Sequence, residues 1–211
     1  EAGFDIITTT THKTLRWPRW ALIYYSLKEW KELELQINRW VFPGVQWWPF
    51  DHVLVAKAQA FSEIIDPSTK RSEYSKKTLS HAKLLAQELL NRWWVLTTWW
   101  TDNHLMVIDI TMNKWKETWL TGKSAEKKLE YIGLSVNKQL LPHDTRPPQD
   151  PSWIRVGTPA ITTRGLNTDD VKLIANIIHD CLLNLRDEQI LRNEVLQLCK
   201  QYPLYKWMYW E

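Results

Sequence analysis

Residues 6–21 read IITTTTHKTLRWPRWA. Two isoleucines run into four threonines, then His12 and Lys13, then Pro18 flanked by Arg16 and Arg19 and by Trp17 and Trp20. The apolar start predicts a short buried strand at 4–8 that ends at a polar turn carrying the lysine. A strand that delivers a lysine to a polar turn is a way to present a reactive amine, and lysine forms Schiff bases where a site lowers its pKa. Most lysines are solvated surface charges, so this spacing alone leaves Lys13 both readings.

Working outward, WALIYY at 20–25 predicts the next strand, and 28–38 a charged helix. Pro43, Gly44 and Pro49 mark 41–49 as a loop. Val53, Ala56, Ala60, Phe61 and Ile64 recur at helical spacing over 50–65, and Asp66 with Pro67 stops that helix. Ser68 or Thr69 then starts a long amphipathic helix with Leu79, Ala82, Leu85, Ala86 and Leu89 on one side. The break at Asp66 divides the chain into domains 1–65 and 66–211. Strands are predicted at 95–98 and 105–110. Thr121 caps a helix over 123–132 that Gly133 ends in a left-handed cap. A short strand follows at 134–137, a proline-rich loop at 143–152, and extended segments at 154–156 and 159–163. Asn167 caps a helix from Thr168 to about Leu185, with Asp169 and Asp170 in its positive first turn. Arg186 and Asp187 open a last helix to Gln201. The aromatic tail beyond it has no sequence rationale.

Composition excludes several classes. Apolar content of 44% and charged content of 24% are ordinary for a globular chain. A net charge of +3 is too mild to argue for nucleic acid. No apolar run reaches a membrane span, and EAGFD at 1–5 has no basic-then-apolar signal pattern. Cys181 and Cys199 both lie in helical sequence, which suits a reducing compartment and buried thiols. There is no CxxC or HExxH, so no metal is expected. LTGKS at 120–124 lacks the glycine that a phosphate-binding P-loop needs at 117, which is Glu117.

Six motifs stand in order: TTTTHKTLR-x-PR at 8–19, VFPGVQ-x-x-P at 41–49, TDNHL at 101–105, LTGKSAEK at 120–127, SVNK at 135–138 and IRVGTPAITTRG at 154–165. Together they resemble serine hydroxymethyltransferase, a pyridoxal-phosphate enzyme family that interconverts serine and glycine with tetrahydrofolate. The resemblance covers about residues 2–185 and begins just before the family's cofactor lysine, so the family's N-terminal half has no counterpart here.

The resemblance implies an α/β and α+β fold, the C-terminal part of a fold-type I (aspartate-aminotransferase-like) enzyme. Residues 1–65 would end the large cofactor-binding domain and 66–211 form the small one. It implies that Lys13 carries pyridoxal 5'-phosphate. Thr10, Thr11 and His12 lie near it, to orient substrate or move protons, although the threonine run also simply favours extended backbone. It implies that Arg155 clamps the substrate carboxylate, for which a bidentate guanidinium is suited, and that Arg19 supports the lysine loop. It implies that the backbone amides of 47 and 48 help bind the cofactor phosphate of a neighbouring subunit. It places His104 and Asp102 of TDNH in the small domain's framework. Gln139 stands where an asparagine near folate is often found, which leaves that contact open. A cytoplasmic homodimer with shared sites, acting on serine, glycine and folate in one-carbon metabolism, follows as an expectation, with no nucleic-acid or membrane partner. This chain alone should be inactive.

One departure is systematic. The sequence has 15 Trp and only 6 Gly, against a usual glycine share of roughly 7%. Trp17, Trp20, Trp47, Trp48, Trp93, Trp99, Trp100 and Trp153 stand at family glycine positions. Some bacteria read UGA as glycine, and a table that reads UGA as tryptophan would convert only those codons, sparing Gly44, Gly122, Gly133, Gly157 and Gly165. As encoded, QWWP at 46–49 puts phosphate binding in doubt, because bare amides cradle phosphate only where no side chain intrudes. Two other classes remain: another fold-type I enzyme such as an aminotransferase, and a non-catalytic protein whose exposed tryptophans stack on nucleic acid or sugar.

Overall fold

Strand β1, Ile6–Thr10, pairs antiparallel with β2, Ala21–Tyr25, placing Thr10 opposite Ala21 and Ile6 opposite Tyr25. The computed structural model describes residues 3–26, 31–69, 71–114 and 116–204. The start of the predicted charged helix, with Trp30, and the tail from residue 205 lie outside them. The chain divides into two units, residues 1–72 and 73–211.

In the first unit β1 begins two residues later than predicted and is not buried. Ile6 is 44% and Ile7 51% exposed, because two strands alone offer too few neighbours to cover both faces. Helix α1, Lys31–Arg39, runs into a wide turn, Trp40–Val45, that is broken by extended backbone at Phe42 ahead of Pro43 and closed by the Gln46 N–H donating to Val41 O at 2.7 Å. The predicted loop at 41–49 is thus a kinked turn followed by extended backbone at Gln46. Helix α2, Asp51–Ile65, stops where Asp66 turns extended ahead of Pro67. The Asp66 carboxylate accepts from the Ser68 N–H at 2.8 Å, and that bond holds its pKa below the ordinary value. A short 3-10 turn, Pro67–Thr69, precedes helix α3, Arg71–Asn91. On α2 the buried positions are Lys57 and Ala60, flanked by half-buried Val53 and Phe61, while Ala56 and Ile64 of the predicted stripe are exposed.

The second unit is built on an antiparallel sheet. Its strands are β3 (Trp94–Leu96), β4 (Leu105–Asn113), β5 (Lys116–Glu117), β6 (Asn137–Gln139) and β7 (Trp153–Gly157). They lie in the order β3-β4-β7-β6, with β5 on β4. Strand β4 buries Met106, Ile108 and Ile110 on one face, the period of two that a half-covered sheet requires. Against that face pack Leu85, Ala86 and Leu89 of α3 and the apolar stripe of α6, Thr168–Leu182. Leu79 falls outside this stripe and is 38% exposed.

The helix starts are local chemistry. Asn167 accepts from the Asp169 and Asp170 N–H groups, while the Asp170 carboxylate accepts from the Asn167 N–H, a reciprocal cap on α6. Thr121 and Ser124 cap α4, Gly122–Tyr131, in the same way, and Asp187 caps α7, Glu188–Gln201. Gly133 has φ +94° after α4, where only glycine is unstrained. Gly122 has no room for a side chain: a Cβ there would sit 2.7 Å from Trp153 O and 2.8 Å from Pro151 O.

Two predictions in this unit need correction. The strand expected at 134–137 is β6, three residues later at its start. The segment 159–163, expected extended, is helix α5, Pro159–Arg164. Pro159 occupies its first position, where a missing N–H costs nothing. Thr162 Oγ1 donates to Thr158 O at 2.9 Å and meets His81 Nδ1 at 2.9 Å, and Thr158 Oγ1 donates to Thr78 O at 2.9 Å. The two buried bonds to α3, with the local one inside α5, outweigh the extended preference of the β-branched run.

Candidate active site

The turn between β1 and β2 is knotted around Thr11, which is fully buried. Its N–H donates to Trp20 O at 3.0 Å, its hydroxyl donates to Pro18 O at 2.6 Å, and its carbonyl accepts the Trp17 N–H at 2.9 Å. All three polar groups of one residue are thus spent on closing the loop. The Arg16 N–H returns to Lys13 O at 2.9 Å, with Arg16 in left-handed backbone at φ +58°. Lys13 is exposed at the tip, with no hydrogen bond or ion pair from its amine to another described residue. Thr10 ends β1 and is exposed, His12 is half-buried, and Arg19 is exposed beyond the turn. The structure therefore gathers Thr10, His12, Lys13 and Arg19 into one hairpin.

Helix α2 backs the turn. The Trp17 ring meets Phe61 edge-on with centroids 4.0 Å apart, and Trp20 meets Phe50 at 5.5 Å. Lys57 Nζ donates to Ala21 O at 3.1 Å and lies 5.7 Å from the Trp20 ring. Sequence reasoning missed Lys57. Its signal was a charged residue at i, i+4 and i+8 register with Val53 and Phe61, in a stripe that is otherwise apolar. It missed Thr11's role as the hub as well, since hydroxyl partners seven residues away leave no trace in spacing.

The residues fit an aldehyde cofactor unevenly. A free amine at Lys13 and a His12 Nδ1 that is buried with no partner leave two polar groups for a bound group to engage. Trp47 and Trp48 do the opposite. Both are 68% exposed, their rings cluster with Phe42 at 5.9 and 5.2 Å, and they present apolar surface where the expected role calls for bare amides.

Arg155 lies in the other unit, central in β7, paired with Val107 on one side and Asn137 on the other. Ile154 and Val156 point into the core, so alternation sends Arg155 to the open face. Its guanidinium makes no hydrogen bond or ion pair with another described residue. His104, whose carbonyl accepts the Thr158 N–H at 3.1 Å, is held below the ordinary histidine pKa by burial and then by the Arg155 charge. Among the described residues no cluster of three His, Cys, Asp or Glu could hold a metal, and no helix is long and apolar enough to cross a membrane.

Left-handed backbone sorts the tryptophans. Seven non-glycine residues among those described have positive φ, and three are Trp93 (65°), Trp99 (60°) and Trp119 (59°). Trp93 follows the last turn of α3, the position where glycine commonly ends a helix. Trp119 was not among the positions read from the sequence, and it is 88% exposed. Trp94 behaves differently. It is 2% exposed, and its Nε1–H donates to His179 Nδ1 at 3.2 Å.

The family model for serine hydroxymethyltransferase matches residues 3–178. A protein named serine hydroxymethyltransferase from Desulforapulum autotrophicum is 41% identical over 202 residues, 96% of this chain and 46% of that protein. One of the same name from Crocosphaera subtropica is 42% identical over 204 residues, 95% of this chain and 45% of that protein. The chain spans about half the length of these curated relatives. Its mixed helix-and-sheet architecture accords with the fold-type I enzymes, and the chain belongs to the serine hydroxymethyltransferase family.

Proposed function

We propose that this chain is the part of a serine hydroxymethyltransferase that holds the cofactor by Lys13 and the substrate carboxylate by Arg155. The activity is transfer of a one-carbon unit between serine and tetrahydrofolate, leaving glycine. The observation that carries this reading is the Thr11-centred turn, which spends its own polar groups internally and leaves the Lys13 amine free. Pyridoxal 5'-phosphate, when bound, draws electrons from the amino acid's α-carbon. Lys13 supplies the amine that holds it, and Arg19 steadies the turn. Thr10 and the unpartnered His12 ring orient substrate or move a proton. Arg155 takes the carboxylate in a bidentate pair. Residues 1–65 end the cofactor-binding domain and 66–211 form the small domain.

The wider reading is a homodimer in the cytoplasm, with this chain inactive alone. The apolar surface left open on the first unit supports association, and two free cysteines support a reducing compartment. Residues 47 and 48 serve the phosphate as glycines, read from UGA codons.

The test is borohydride reduction of the full-length natural protein with pyridoxal phosphate, followed by peptide mass mapping. The expected label is a pyridoxyl group on Lys13. Lys13→Ala should lose it and cut serine turnover by more than about 10³-fold, while Arg155→Ala should weaken serine binding about 10- to 100-fold, the worth of a charged hydrogen-bonded pair. A label elsewhere, with turnover surviving in Lys13→Ala, refutes the reading. The same peptide map covers 41–57 and reads residues 47 and 48 directly.

A further inference from the structure

Lys57 is a charged residue where the fold asks for an apolar one. It lies on α2 between Val53 and Phe61 on the stripe that backs the lysine turn, and it is 7% exposed. Buried lysines are normally paired with a carboxylate. No described carboxylate contacts this one. Among the described residues its one hydrogen bond is to a backbone carbonyl, Ala21 O at 3.1 Å.

That carbonyl is well chosen. Ala21 is the first residue after the turn and pairs directly with Thr10 in the ladder. The residue before it, Trp20, gives its own carbonyl to the Thr11 N–H at 3.0 Å. A bond at Ala21 O therefore fixes the exit of the loop whose entry carries His12 and Lys13. Thr11 closes the loop from within through Pro18 and Trp17. Lys57 ties it from outside to a fifteen-residue helix.

We propose that Lys57 is a positioning residue for the cofactor lysine: it clamps the Ala21 carbonyl to α2 and so fixes the turn that presents Lys13. The proposal rests on the reading of Lys13 given above. It does not depend on the neighbouring indole, since the bond to Ala21 O is to backbone and forms equally with glycine at 20. Burial lowers the Lys57 pKa from its ordinary value, in keeping with an ammonium held by geometry instead of a counter-ion.

The experiment compares the full-length protein with Lys57→Met and Lys57→Arg variants. Methionine keeps the length and suits the apolar stripe, so a purely structural lysine should tolerate it. Backbone hydrogen exchange is followed at Thr11 and Trp17, whose N–H groups close the turn. Ala60 of α2 and Ile154 of β7 serve as folding controls. In Lys57→Met, exchange at Thr11 and Trp17 should quicken at least fivefold with the controls unchanged. Pyridoxyl trapped on Lys13 by borohydride should fall in parallel. Lys57→Arg, which retains a donor of similar reach, should restore both. Unchanged exchange at Thr11 and Trp17 in the methionine variant, or an arginine variant as loose as it, overturns the clamp. If the wild-type protein traps no pyridoxyl on Lys13, the reading of Lys13 falls, while the exchange arm still decides whether Lys57 holds the turn.

Discussion

Helices α2 and α6 are both fifteen residues long, and α2 is the more apolar. Yet α6 buries Val171, Ile174, Ala175, Ile177, Ile178, Cys181 and Leu182, whereas α2 buries Lys57 and Ala60. The contrast extends to their units. Residues 73–211 close a sheet, three long helices and one continuous core. Residues 1–72 leave Val55 70%, Ile65 79% and Trp40 71% exposed. Composition says how much apolar surface a segment carries; only its neighbours say whether that surface is covered. Burial of a side chain such as Ile178 contributes about 2 kcal/mol that an exposed Ile65 does not. An apolar surface of this extent is one that a protein ordinarily covers with another segment or another chain.

The strongest way to break the comparison is to truncate one side chain in each unit. Trp94→Ala, in the core of the second unit and bonded to His179, should cost about 3–5 kcal/mol. Ile65→Ala should cost less than about 0.5 kcal/mol in the same chain. Urea unfolding followed separately for each unit measures both, and an Ile65 effect as large as that of Trp94 would dissolve the distinction.

A smaller effect sharpens it within the second unit. Trp119→Gly, at φ +59° and open to solvent, should gain about 1 kcal/mol by removing left-handed strain. Trp94→Gly should lose stability. Opposite signs at 94 and 119 would show that some tryptophans here belong and others stand where the backbone asks for glycine. Peptide masses of the natural protein should then read glycine at 119 and tryptophan at 94.

The smallest effect is electrostatic. Burial, the largest cause in each case, lowers the pKa values of His81, His104 and His179 from the ordinary 6.5. The unfolded chain then binds protons near pH 6.5 that the folded unit still refuses. Stability should be full above that value and decline as pH falls through it. The urea midpoint of the second unit should therefore be lower at pH 5.5 than at pH 7.5. His81→Gln should flatten that dependence. A midpoint that rises on acidification would contradict the assigned burial.

The two units also differ in how far the sequence could be read. Thr121 and Asn167 were legible as caps, and Gly133 as a stop, because their hydrogen bonds reach only two or three residues. Ala82, Leu85, Ala86 and Leu89 were legible as a core stripe because helical period alone places them together. Lys13, His12 and Arg155 were legible through motifs, which record residue type and order. Local bonding and period belong to the chain itself, so the sequence by itself determined the capped helix starts, the core stripe of α3 and which residues are candidates for the site. Contacts between distant segments decided the rest. PAITT at 159–163 became a helix because Thr158 and Thr162 found partners on α3 some eighty residues away. Ile6 and Ile7 stayed exposed because a hairpin has no third layer. Lys57 came to lie against Ala21 O because α2 packs on the turn. None of these has a local signature, since each depends on which surface the folded chain brings alongside.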